Sequence, residues 1–280
     1  MIRRCLICLI PLALAAPASA APVSEKVTSG NVTAELTYER DGDDYSDFHV
    51  KIERDGAVMV DRAVRSGCSD EPCGVVPAGR AAKDDSVVLR DLDADREPEV
   101  IVDLFTGGAH CCTVSTIYSF VEGAGYSRLR RNWRDAGYRL RDLKGDGKLE
   151  FRTGDARFGY LYSSYAESYL PVRILRFSAR RGLVDVSRSH RRWLRADARR
   201  ALRLYRRVRD RAVNVRGILA AYAADLYRLG ERRAARRTLF RALRRGDLEK
   251  RYELDFGPVG RAYIRRLDRF LRKSGYTARG

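Results

Sequence analysis

Beyond its first sixteen residues the sequence has no apolar run approaching eighteen residues, so no later segment is expected to cross a bilayer as a helix. Lysine is scarce, with seven against 48 arginines, and histidine is limited to His49, His110 and His190. There is no G-x-S-x-G elbow, no G-x-x-x-x-G-K-[S/T] loop and no H-E-x-x-H pair. The four cysteines after residue 20 have no C-x-x-C spacing, which argues against thiol redox chemistry. His49 and His190 have no nucleophile at readable spacing. With these signatures missing, no reaction can be named. What is present, 45% apolar and 33% charged residues in a chain of 280, suits one or two soluble domains with real cores.

The first twenty residues predict export. Arg3 and Arg4 form a short basic start, Cys5 to Ala16 is apolar, and Ala18-Ser19-Ala20 supplies the small side chains of a cleavage site. Cleavage after Ala20 is expected, with a retained N-terminal anchor as the alternative. No transmembrane segment is expected in the mature chain.

Charge divides the remainder of the chain in two. Residues 21–180 carry 23 Lys+Arg and 27 Asp+Glu, a net of −4, and residues 181–280 carry 30 and 10, a net of +20. The expected layout is a signal peptide at 1–20, a β-rich domain at 21–180 and an Arg-rich helical region at 181–280. Alternation in Val32–Tyr38 and Phe48–Ile52, with Asp55-Gly56 before Val58-Met59-Val60, predicts antiparallel hairpins. Further strands are expected at Val87–Leu89, Val100–Val102, Val114–Phe120 and Val172–Phe177. The fold expected is a mainly β N-terminal domain, sandwich-like or a propeller fragment, followed by an α-helical C-terminal region. In that region Leu194, Ala198, Ala201, Tyr205 and Val208 mark one helix face, and Val215 to Leu229 repeats the spacing as far as Gly230. Ala235, Leu239 and Ala242 continue it, and Gly257-Pro258 precedes a last helix. The hairpin from Leu219 to Asp247 resembles a single tetratricopeptide-type unit, with an ordinary αα-hairpin as the plainer reading.

Two segments about fifty residues apart look alike. Arg90-Asp91-Leu92-Asp93-Ala94-Asp95 leads to Glu97 and Glu99, and Arg141-Asp142-Leu143-Lys144-Gly145-Asp146 leads to Glu150. Carboxylates at Asp91, Asp93 and Asp95 repel one another on a regular strand, but a tight loop can wrap them around one hard cation. Glu99 can then close the shell, and the Glu97 carbonyl can add an oxygen. An all-oxygen, carboxylate-rich set favours Ca²⁺ over Mg²⁺ or zinc. The twelfth position from Asp91 is Val102, which excludes an EF-hand. In both copies the bland alternative is an Asx-type turn.

The pattern resembles the calcium loops of FG-GAP and VCBS-type repeats over residues 85–180. Those loops are acidic at positions one, three, five and nine, filled here by Asp91, Asp93, Asp95 and Glu99, then by Asp142, Lys144, Asp146 and Glu150. The resemblance implies a calcium site in the first copy. It implies a weaker one in the second, where the Lys144 ammonium can neutralise Asp142 and Asp146 in place of a metal. Arg96 stands where glycine normally eases the turn. The whole chain is also similar to a group of exported actinobacterial proteins, a likeness that carries no function.

Cys68, Cys73, Cys111 and Cys112 are disulfide candidates outside the cytoplasm. Crossed pairing between the two segments is expected, with local pairing or a Cys/His zinc site at His110 as alternatives. Tyr160, Tyr162, Tyr165 and Tyr169 either line a groove or serve as packing. The function expected is an exported, calcium-stabilised binding or structural module of the cell envelope or secreted fraction. One alternative is an envelope-polymer hydrolase using a carboxylate pair. Another is docking of the Arg-rich helices to an anionic wall polymer or lipid surface. Nucleic acid is disfavoured, because the arginines match no reader motif and arginine is used throughout the chain. Nothing in the sequence sets an oligomeric state.

Overall fold

The computed structural model describes residues 21–65, 75–78, 85–107, 112–249 and 256–277. The expected signal peptide lies outside these residues. So do Cys68, Cys73, His110 and Cys111.

The first sheet is an antiparallel meander of β1 (Ala21–Ser29), β2 (Val32–Asp41), β3 (Asp44–Arg54) and β4 (Ala57–Ala63). Asp55 and Gly56 turn the chain between β3 and β4, both at positive φ (51° and 77°), as a tight hairpin requires. The second sheet contains β5 (Val76–Pro77), β6 (Val87–Arg90), β7 (Glu99–Phe105), β8 (Thr113–Val121) and β9 (Gly125–Arg134). There β7 pairs β5 and β6 on one side and β8 on the other, and β9 continues beside β8. The third sheet is a second meander of β10 (Arg139–Arg141), β11 (Glu150–Gly154), β12 (Val172–Arg176) and β13 (Val184–Asp185). Four helices come after it: α1 (Arg191–Val208), α2 (Arg216–Arg228), α3 (Arg232–Arg244) and α4 (Gly260–Lys273). The order is β then α, as the periodicities predict.

Three cores lie between successive layers. Leu36, Val50 and Ile52 of sheet 1 pack on Leu89, Val100, Val102 and Leu104 of sheet 2. The opposite face of sheet 2, with Ile101, Ile117 and Trp133, packs on Phe151 and Leu175 of sheet 3. Strand β7 is covered on both faces, which explains its nearly unbroken apolar run Val100-Ile101-Val102. The other face of sheet 3, including Val172 and Ile174, joins the helices around α2. Every residue of α2 is buried, as expected of a helix enclosed on all sides. Arg228 from this helix donates to the Val172 carbonyl at 2.7 Å and to Asp185 at 3.1 Å, which ties it to sheet 3. Each fully buried Val, Leu or Ile contributes about 1.5–3 kcal/mol of transfer free energy.

The helical hairpin α2–α3 turns at Gly230, where φ is +81°. The Tyr run serves mainly as packing: Tyr162 is fully buried and meets Tyr263 edge-on at 4.9 Å. Tyr169 donates to Asp197 at 2.8 Å, and Tyr160 is exposed beside Tyr165.

Candidate cation site in the first of two matched loops

Loop 91–99 joins β6 to β7, whose register pairs Arg90 with Glu99. Asp91 organises the turn: its two carboxylate oxygens accept the Ala94 and Arg96 amides at 2.8 and 2.9 Å. Asp95 accepts the Glu97 amide at 2.8 Å. Ala94 and Arg96 take left-handed φ values of 62° and 74°, which disfavour side chains other than glycine. The Leu92 amide donates to Glu99 Oε2 at 2.9 Å, while the Leu92 side chain is fully buried.

This path brings Asp91, Asp93 and Glu99 together, each offering an oxygen within 4.8 Å of the others. The carboxylates of Asp95 and Glu97 fall outside that cluster. The Glu97 carboxylate pairs with Arg54 of β3 and so ties the loop to sheet 1. Two of the three clustered carboxylates, Asp93 and Glu99, are under-compensated. Burial, then the neighbouring Asp95 and Asp91, raises the Asp93 pKa, and its Oδ1 is buried without a hydrogen-bond partner. Burial, reinforced by Asp93 and Asp95, pushes Glu99 up to about 8 despite hydrogen bonds from Leu92 and Ser119. Crowded, partly desolvated carboxylates of this kind favour either a proton or a cation.

Loop 142–150, between β10 and β11, repeats the construction. Asp142 accepts the Gly145 amide at 2.6 Å and the Gly147 amide at 2.9 Å. Asp146 accepts Lys148 at 3.2 Å, and the Leu143 amide donates to Glu150 Oε2 at 2.9 Å. Gly145 and Gly147 occupy the left-handed positions, at φ 76° and 79°. Backbone hydrogen bonds, led by the one from Gly147, lower the Asp142 pKa. The loops also touch, since the Leu149 amide donates to the Leu92 carbonyl at 3.1 Å.

What differs is the residue across the sheet from each closing glutamate. The register pairing Val100 with Tyr118 sets Ser119 opposite Glu99, and its hydroxyl donates to Glu99 Oε1 at 3.1 Å. Glu150 instead pairs directly with Arg176 of β12. The Arg176 guanidinium binds Glu150 Oε1 and reaches Asp146 at 3.1 Å. The His190 Nε2 lies 3.4 Å from the same Glu150 oxygen. The second loop therefore carries its own cation. That cation is Arg176; the Lys144 ammonium forms no ion pair among the described residues. Neither Arg176 nor Ser119 is foreshadowed by the loop sequences. Only the strand register brings them there.

The larger clefts among the described residues are basic. Arg236, Arg261, Arg265, Arg269 and Arg272 line a groove of about 410 Å³ between α3 and α4, with Phe240 and Ile264 in its wall. Asp155, Asp197 and Asp268 are each the lone carboxylate of a different cleft, so none of these three holds a carboxylate pair. No described helix is long and apolar enough to cross a membrane.

A chain of three stacked sheets closed by helices, with a paired-loop motif at the second and third sheets, is the class these features define. No known protein family matches it, and no solved structure does. It is similar to the uncharacterized protein y4bJ of Sinorhizobium fredii, 38% identical over 91 residues, 32% of this chain and 14% of that protein. It is also similar to a probable thylakoid lumen protein, sll0997, of Synechocystis, 38% identical over 103 residues, 35% of this chain and 30% of that protein. The chain thus spans less than a third of the length of either relative.

Proposed function

We propose that this is an exported binding or structural module in which Asp91, Asp93 and Glu99 hold a calcium ion that stabilises the stacked sheets. The observation that carries the reading is the convergence of three carboxylates around a buried, unpartnered Asp93 oxygen. The donor set is oxygen-only and suits a hard cation. Its match to the FG-GAP and VCBS-type loop pattern adds support, as does the equivalent loop that carries an internal cation instead. Export is supported by the N-terminal sequence and by the lumenal name of the Synechocystis relative. The even set of four cysteines after residue 20, with Cys112 buried immediately before β8, suits an oxidising compartment.

Calcium at a hundred times its dissociation constant adds about 2.7 kcal/mol. For a chain this size that is a rise in Tm of about 5–10 °C. The test is thermal melting in EDTA, in EDTA followed by excess calcium, and with Asp93→Ala in both. Calcium should raise the wild-type Tm and leave the variant unmoved. Identical melts in all samples would remove the proposal.

A second reading concerns the helices. The arginine-walled groove between α3 and α4 supports attraction to an anionic envelope surface, through charge complementarity and apolar contact with Phe240 and Ile264. Co-sedimentation with anionic vesicles or wall polymer, reversed by salt, is the expected outcome. Binding insensitive to salt would argue against it.

A further inference from the structure

The crevice between sheets 2 and 3 ends in a cavity of about 140 Å³, walled by Arg131, Asn132 and Arg134 of β9, Asp155 and Arg157 just past β11, and Arg173 of β12. Two of the four guanidiniums have carboxylate partners. Arg157 Nε donates to Asp155 at 2.9 Å, and Arg173 Nε to Asp185 at 2.9 Å. The second oxygen of Asp155 also accepts the Tyr276 hydroxyl at 2.6 Å, so this carboxylate is fully engaged. Arg131 and Arg134 form no ion pair among the described residues.

Arg131 is the residue that needs explaining. Its guanidinium lies 5.4 Å from the Trp133 ring, and its Nε is buried with no hydrogen-bond partner. A buried charged donor left unmatched is costly and usually marks a missing ion or water. Burial, then repulsion from Arg173, lowers the Arg131 pKa from its ordinary value. Arg134 adds an independent observation. It sits at φ 55°, beside the register shift at Thr113/Val114, with its amide held by Asn132 Oδ1 at 2.7 Å. Strained backbone of this kind collects at ligand sites.

We propose that this cavity binds a phosphate-class oxyanion, either the free ion or the phosphoryl group of a larger molecule, held chiefly by Arg131 and Arg134. Guanidinium forks match the oxygens of such a group in pairs. A liquid water occupies about 30 Å³, so the cavity accommodates a tetrahedral anion of a few waters' volume. The site is independent of the calcium loop and stands or falls without it.

The test titrates the full chain with inorganic phosphate by calorimetry, then with a dialkyl phosphodiester, and with acetate as a carboxylate control. Saturable phosphate binding, weakened by salt and reduced at least tenfold by Arg131→Met, is expected. Arg131→Lys should fall between. A phosphodiester that binds as well as phosphate points to a phosphoryl group on a larger molecule, and one that binds more weakly points to the free ion. If Arg131→Met fails to fold, the exposed Arg134→Gln serves in its place, with the same expected loss. No saturable binding at tens of millimolar phosphate, acetate binding equal to phosphate, or unchanged affinity in a folded variant would overturn the proposal.

Discussion

Loops 91–99 and 142–150 trace the same turn, close on the same glutamate–leucine amide bond, and then diverge at one cross-strand position. Glu99 faces the neutral hydroxyl of Ser119, and Glu150 faces the guanidinium of Arg176. Both glutamates are almost completely buried. A buried carboxylate needs compensation, and the two copies obtain it differently. In the second it comes from within the chain. In the first no cation of the chain faces the glutamate, and burial, reinforced by Asp93 and Asp95, pushes Glu99 up to about 8.

The sharpest way to break this comparison is Arg176→Ser, which gives the second loop the partner of the first. Removing one member of a buried ion pair costs about 3–5 kcal/mol, so a large loss of stability in EDTA is expected by chemical denaturation. Calcium should then restore part of it through the second loop, above any gain in the wild type. A variant that calcium restores no further than the wild type would show that the two loops are not equivalent.

The next effect concerns the link between the repeats. Asp103 of β7 accepts Ser115 and, at 2.6 Å, the hydroxyl of Tyr138, which leads into the second loop's hairpin. Burial raises its carboxyl pKa from 3.8 to about 6, against the lowering effect of those two hydrogen bonds. A raised carboxyl binds its proton more tightly in the folded state than in the unfolded one. Its stabilising contribution is therefore complete below about pH 4 and is lost as pH rises through 6. Asp103→Asn should flatten the stability profile across that window, measured by urea midpoints at successive pH values. An unchanged slope would assign the dependence elsewhere.

The smallest effect lies in the backbone. Arg96→Gly gives the first loop the residue that the second has at Gly147. Relief of a left-handed φ of 74° is offset by the greater freedom of glycine in the unfolded chain, leaving a gain of about 0.5–1 kcal/mol. The reciprocal Gly147→Ala should cost a similar amount. Its added carbon would meet the Ala94 side chain at an ordinary 3.7 Å, so the cost is conformational and not steric. Paired melts of the two variants check both signs.

Much of the fold was legible because its signals are local. The alternation of Val32–Tyr38, the Asp55-Gly56 turn and the apolar spacing from Leu194 to Val208 each depend on residues a few positions apart. Strand β9 was not anticipated: its solvent-facing positions are Ser127, Asn132 and three arginines, and only Trp133 on it is buried, so little apolar alternation remains to be seen. In the candidate site, the spacing of Asp91, Asp93 and Glu99 was readable. The separation of the Asp95 carboxylate from that cluster was not, because it depends on a hydrogen bond from the Glu97 amide, and neither was the pairing of the Glu97 carboxylate with Arg54 of another sheet. Ser119 and Arg176 lie twenty and twenty-six residues beyond their glutamates, and only pairing register brings them across.

Arg176 is covalently part of the polymer, so dilution and chelators cannot strip it away. The half of the stack that it serves, together with the helices anchored there by Arg228, should therefore keep its shape whether or not calcium is present outside. Dependence on calcium would be confined to the opposite half, where Arg54 reaches Glu97. Loosening on loss of calcium would begin at that edge and stop midway through the layers.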